Sequence, residues 1–130
     1  MIALDTNVLV RYLVQDDRQQ AGAANRVIEK LTQESPAFVS MIVLCEVAWV
    51  LRSAYSVSKE QCAHTLGQIL AIPTFHIEQH DRCYRALRAY QLGTADYSDY
   101  LIRETAWEAG YDTVVTFDKR ALKHKGFSKP

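Results

Sequence analysis

The stretch MIALDTNVLVRYL, Met1 to Leu13, decides how the fold is read. Met1 to Leu4 is a short apolar run of the kind that forms a buried strand. Asp5 ends it, the polar pair Thr6-Asn7 follows, and apolar residues resume in NVLVRYLV. A helix follows naturally there from a cap at Asp5 or Thr6. Asp5 therefore has two readings. It is either a helix cap, or a carboxylate placed at the end of a strand, where open α/β sheets bind their ligands.

Outward from this stretch, strand-like and helix-like segments alternate. DRQQAGAANRVIEKL (17–31) reads as a helix, with Asp17 and Gln20 at capping-box spacing and an apolar stripe of Ala24, Val27, Ile28 and Leu31. Ser35-Pro36 marks a turn, and AFVS (37–40) is a second short strand. Ser40 caps the long helix MIVLCEVAWVLRSAY (41–55), which is apolar nearly all round and so is expected to be central. Ser58 and Gln61 repeat the capping-box spacing before KEQCAHTLGQIL (59–70). Pro73 ends that element, and TFHI (74–77) is a third strand. DRCYRALRAYQL (81–92) follows as a helix, broken at Gly93-Thr94. SDYLIRETAWEAG (98–110) ends on a glycine suited to a C-cap. DTVVTF (112–117) is the clearest strand, DKRAL (118–122) starts a last short helix, and the polar tail is expected to fray. This alternation predicts a parallel sheet covered by helices on both faces.

The bulk properties agree. A chain of 130 residues, 48% hydrophobic and 23% charged, suits one domain over residues 1–130 with one core. Formal net charge is zero, which argues against a general basic coat for nucleic acid but leaves room for a local basic rim. The three cysteines, Cys45, Cys62 and Cys83, are odd in number, widely spaced and without a CxxC, so they read as buried free thiols in a reducing compartment. No segment is apolar for long enough to span a bilayer, and Asp5 interrupts any leader-like start. A cytoplasmic protein with no membrane association is expected.

Four acids recur beside these elements: Asp5 after the first strand, Glu46 within an apolar helix, Asp99 in ADYSDYLI, and Asp118 directly after TVVTF. Asp5 and Asp118 should point to the same rim of a parallel sheet. Glu46 needs a partner if it is buried, and either a salt bridge to Arg11 or Arg52 or a divalent metal would supply one. Asp96 and Asp99 share roughly one helical face. They read either as cap and first-turn residue serving the helix dipole, or as a metal ligand with a supporting acid. Converging carboxylates need a cation, and hard oxygen donors favour Mg²⁺ or Mn²⁺. Such acidic sites suit phosphodiester hydrolysis, with histidine dispensable as base. Arg11, near Asp5, and Arg120, near Asp118, are the best-placed cations for RNA phosphates.

LDTNVLVRYL, SMIVLCEVAWVL, GTADYSDYLI and VVTFDKRAL, in this order and spacing, resemble the PIN-domain ribonucleases. Within them the chain looks like a VapC-type toxin of a bacterial toxin–antitoxin pair. The resemblance covers essentially the whole chain and implies a three-layer α/β/α sandwich with a central parallel sheet. It also implies a Mg²⁺- or Mn²⁺-dependent endoribonuclease acting on single-stranded regions or loops of RNA, often tRNA or ribosomal RNA. Carried over by motif, Asp5, Glu46, Asp99 and Asp118 are the metal-binding and catalytic acids, with Asp96 in support. Thr6 and Asn7 match the polar pair after the first acid, where they would hold Asp5 or a water. Thr116 matches the hydroxyl residue two places before the last acid, where it would orient Asp5 or a water. A homodimer and a cognate antitoxin that wraps the protein are implied as well. Aromatics such as Trp49 are possible interface anchors, although core packing is the plainer reading of Trp49.

Two other classes fit parts of the pattern. A phosphatase-like hydrolase would use Asp5 as covalent nucleophile, but its DxD pattern wants an acid where Asn7 stands. A non-catalytic metal-binding interaction domain would leave Glu46 to a structural salt bridge.

Overall fold

Strand β1 is only Ile2–Ala3, and both residues are exposed. The computed structural model describes residues 1–130, and within it Met1 to Leu4 is not the buried strand that its composition suggests. Leu4 alone of the run is buried. The reason is topological. In the three-stranded parallel sheet of order β1–β2–β3, β1 pairs only with β2 (Ala37–Val39), which pairs in turn with β3 (Phe75–Ile77). An edge strand of two residues has little to cover it.

These strands belong to the first of two compact units, Met1–His80. Its helices are α1 (Thr6–Val14), α2 (Arg18–Glu29), α3 (Met41–Ser53) and α4 (Lys59–Leu70). The caps fall where the sequence places them. Asp17 accepts from Gln20 N–H, Ser40 from Val43 N–H and Ser58 from Gln61 N–H. The α2 stripe is narrower than expected: Ala21, Ala24 and Ile28 are buried while Val27 is exposed.

Helix α3 is not buried all round. Val43, Leu44, Val47, Ala48 and Leu51 recur at helical spacing and face the core. The opposite face carries apolar residues into solvent: Ile42 is 71% and Trp49 69% exposed. Trp49 is therefore not a core residue, and Glu46, on the same outer side, is exposed as well.

The second unit, Asp81–Pro130, takes up the chain within α5 (His80–Leu92) and continues through α6 (Tyr97–Glu108), β4 (Val114–Val115), a 3-10 turn (Ala121–Lys123) and β5 (Phe127–Ser128). Cys83, Leu87 and Tyr90 are buried, as the α5 pattern predicts. DTVVTF contributes only two residues to a ladder. Its partner is the tail strand β5, paired in parallel, so the tail does not fray.

Arg103 explains why the tail holds. Its Nη1 donates to Lys125 O at 3.0 Å, and its guanidinium carbon lies 4.4, 5.2 and 5.7 Å from the ring centroids of Trp107, Tyr100 and Phe127. Gly126, at φ +93°, lies against Arg103 and Trp107, where a Cβ would come within 2.7 Å of both side chains. Glu104 completes the cluster, bonded to Arg103 at 3.4 Å and to Arg85 at 3.1 Å. Parallel pairing in both sheets, with α-helices between successive strands from β1 to β4, makes the fold α/β. No helix is long and apolar enough to cross a membrane.

Candidate metal centre

In the first unit, Asp5 occupies the N-cap position of α1, in extended backbone, yet its side chain makes no capping hydrogen bond. The carboxylate is exposed and not spent on the helix. Thr6, the next residue, is buried and donates its hydroxyl to Glu46 Oε1 at 3.0 Å. That bond ties the start of α1 to the middle of α3 and aims one carboxylate oxygen of Glu46. Asn7 is exposed on α1.

The salt-bridge reading of Glu46 does not hold. Arg11 donates instead to Gln20 Oε1 at 2.6 Å, Asp16 Oδ1 at 3.0 Å and Tyr55 Oη at 3.1 Å, and Arg52 donates to Val57 O. Arg11 thus serves a network joining α1, the α1–α2 turn and the end of α3. Beside it lies a cavity of about 290 Å³, lined by Asn7, Arg11 and Gln20 together with Val8, Ala24 and Val27.

The second unit gathers Asp96, Asp99 and Asp118. Each offers one carboxylate oxygen, and the three atoms lie within 4.8 Å of one another. Asp96 thus lies with Asp99 and Asp118 in this group. Local structure builds this arrangement. The chain leaves α5 through Gly93, whose missing side chain leaves room for the Tyr100 phenol. Tyr100 Oη accepts from Ala95 N–H at 3.1 Å and fixes the approach to α6. Asp96 then stands at the N-cap, and Asp99, one turn on, accepts from Asp96 N–H through Oδ2 at 3.0 Å.

The segment carrying Asp118 is fastened to the same turn. Thr94 donates its hydroxyl to Arg120 O at 3.1 Å and its N–H to His124 Nε2 at 3.0 Å. Asp118 caps the 3-10 turn, with Oδ1 accepting from Arg120 N–H at 2.8 Å and Ala121 N–H at 3.1 Å. Thr116 Oγ1 accepts from Asp118 N–H at 3.0 Å, so its hydroxyl sets the backbone of the last acid.

Electrostatics separate the three carboxyls. Asp99 is held above the ordinary carboxylate range, chiefly by burial and then by the charges of Asp118 and Asp96, against the bond from Asp96 N–H. Asp118 is held below it, chiefly by the N–H of Ala121 and also by Arg120. The Arg120 guanidinium stands among them, 3.0 Å from Asp96 Oδ2 and 3.7 Å from Asp118 Oδ2. Its pKa is raised, first by Asp96. The sequence offers Arg120 to RNA; the structure places it on the acids.

This donor set fits a hard divalent cation. The group holds only carboxylate oxygens and no cysteine or histidine. With metal–oxygen distances of about 2.1 Å, two oxygens on one Mg²⁺ lie at most about 4.2 Å apart. The chain matches the PIN domain family over residues 2–127. No curated protein matches it.

Proposed function

The chain belongs to the PIN-domain family, whose fold is that of a nuclease, and we propose that it is a Mg²⁺- or Mn²⁺-dependent endoribonuclease of the VapC toxin type. The observation that carries this reading is the group of Asp96, Asp99 and Asp118 in a chain matched by the family over nearly its whole length. That match spans both units, which supports treating residues 1–130 as one functional domain.

The residues divide the work. Asp99 and Asp118, with Asp96, hold the cation in the second unit; Asp5 and Glu46 are the acids of the first, and all are needed for one activity. A divalent ion bound by such carboxylates would supply a water of lowered pKa and positive charge to offset the negative charge developing on the phosphate. Thr6 fixes one oxygen of Glu46, which leaves the other free to accept. Thr116 fixes the Asp118 backbone and the 3-10 turn N–H groups hold its Oδ1, which leaves Oδ2 facing Arg120. Asn7, exposed one residue beyond Thr6, is placed to bind water or substrate. Arg11 and Arg120 are the cations assigned to phosphates. The substrate is RNA with unpaired regions, tRNA or ribosomal RNA among the candidates, and the protein acts in the cytoplasm.

The partners in this reading are a second copy of the chain and a cognate antitoxin. Exposed apolar side chains, Ile42 and Trp49 on α3 and Val27 on α2, support protein partners. The test is incubation of the purified chain with a structured RNA pool and Mg²⁺ or Mn²⁺, with and without EDTA, beside Asp5→Asn. Cleavage that needs the metal and is lost in the variant is the expected result. No cleavage by the folded, metal-bound wild type would contradict the reading.

A further inference from the structure

We infer that Arg120 is an internal cation that occupies the acid group of the second unit and must leave it when a divalent metal binds. The inference rests on the metal-site reading of Asp96, Asp99 and Asp118. It starts from which oxygens remain free. Asp118 Oδ1 already accepts from two backbone N–H groups, so Oδ2 is the oxygen left for a cation. The Arg120 Nη2 atom lies 3.7 Å from that oxygen and 3.0 Å from Asp96 Oδ2. One nitrogen thus faces carboxylate oxygens of two of the three acids in the group.

Two further features fit an exchange. Only the Arg120 side chain has to move, because its main chain is fixed independently: its N–H donates to Asp118 Oδ1 and its carbonyl accepts from Thr94. The ion pair is also solvent-exposed, 52% at Arg120 and 59% at Asp96. Exposed pairs are weak, so a metal can displace the guanidinium at small cost. Asp99 also feels the Arg120 charge, while its Oδ2 accepts from Asp96 N–H. Once displaced, a permanently charged planar guanidinium beside the cation is suited to grip a phosphate oxygen. This reconciles the position of Arg120 on the acids with its assignment to RNA.

The experiment is calorimetric titration of the full chain with MnCl₂, comparing wild type, Arg120→Gln and Asp118→Asn. Side-chain NMR of the Arg120 Nε–H during a MgCl₂ titration provides a second readout, with its signal assigned by loss in Arg120→Gln. Arg120→Gln leaves the main-chain bonds in place, and its fold is checked by circular dichroism. The expected result is binding about three- to fivefold tighter in Arg120→Gln, the scale set by an exposed ion pair. Binding should weaken in Asp118→Asn, and the Arg120 signal should shift over the same Mg²⁺ range that saturates the site. Unchanged or weaker binding in Arg120→Gln, or an unmoved Arg120 signal at saturation, overturns the inference while leaving the metal site standing. No binding by any folded form overturns the metal-site reading and this inference together.

Discussion

Thr6 and Glu46 stand forty positions apart in the chain, and the Thr6 hydroxyl donates to Glu46 Oε1 at 3.0 Å. Thr6 is buried and Glu46 exposed, so the bond works as an anchor at the protein end and an aimed carboxylate at the solvent end. On the proposed function Thr6 is a partner one step removed from a metal, and such partners usually contribute about 10- to 100-fold to activity. Thr6→Val keeps the shape and removes the donor. Its RNA cleavage rate at saturating Mg²⁺ is expected to fall by about that factor, while Thr6→Ser stays near wild type. Equal rates in Thr6→Val and wild type would mean that Glu46 does not need to be aimed.

Asp99 links stability to pH in the less usual direction. Its carboxyl is raised from the ordinary 3.8, so between that value and its folded one the native chain binds more protons than the unfolded chain. Stability therefore falls as pH rises through that window, and the loss persists above it. Asp99→Asn removes the charge and keeps an oxygen for Asp96 N–H. In EDTA at pH 7, this variant should melt at a higher temperature than wild type. The difference should shrink as pH is lowered through the window, and cleavage should be lost throughout. A variant that melts lower at pH 7 would place the cost of this site elsewhere.

Gly126 is the hinge of the tail cluster. Alanine there would hold a side chain at φ +93° and push its Cβ to 2.7 Å from Arg103 and Trp107. Overpacking of this kind costs about 1 to 3 kcal/mol. The measurement is the urea midpoint of Gly126→Ala, with Trp107 fluorescence reporting on the cluster. A midpoint equal to wild type would mean that β5 is not held as described.

Trp49 separates core from surface. A buried tryptophan cut to alanine usually costs about 3 to 5 kcal/mol, whereas exposed substitutions usually fall within about 0.5 kcal/mol of wild type. At 69% exposure, Trp49→Ala belongs with the second group, and its urea midpoint should match wild type closely. A large loss of stability would return Trp49 to the core.

Much of this was legible in the residues, for physical reasons that differ by position. The caps at Asp17, Ser40 and Ser58 and the α5 stripe are local devices, and local pattern specifies them. Asp5 was undecided between cap and site, because only coordinates show that an N-cap aspartate makes no capping bond. Composition misjudged α3, since it does not reveal that a helix rich in apolar residues turns Ile42 and Trp49 outward. DTVVTF read as the best strand on β-propensity, yet its length in the ladder is set by a two-residue partner in the tail. That partner depends on Arg103 stacking among Tyr100, Trp107 and Phe127, a tertiary cluster that no spacing rule announces. The pairing of Arg120 with Asp96 spans 24 positions and was hidden for the same reason.

On the proposed function, Asp5, Glu46, Asp99 and Asp118 are each needed for metal-dependent hydrolysis of RNA. The most direct measurement is single-turnover cleavage of one mapped RNA at fixed Mg²⁺ by wild type, Glu46→Gln from the first unit and Asp99→Asn from the second, each confirmed as folded. Both variants are expected to lose at least about 100-fold in rate, as sites that stabilise developing charge do when one such group is removed. A folded variant of either kind that cleaves at the wild-type rate would contradict the account.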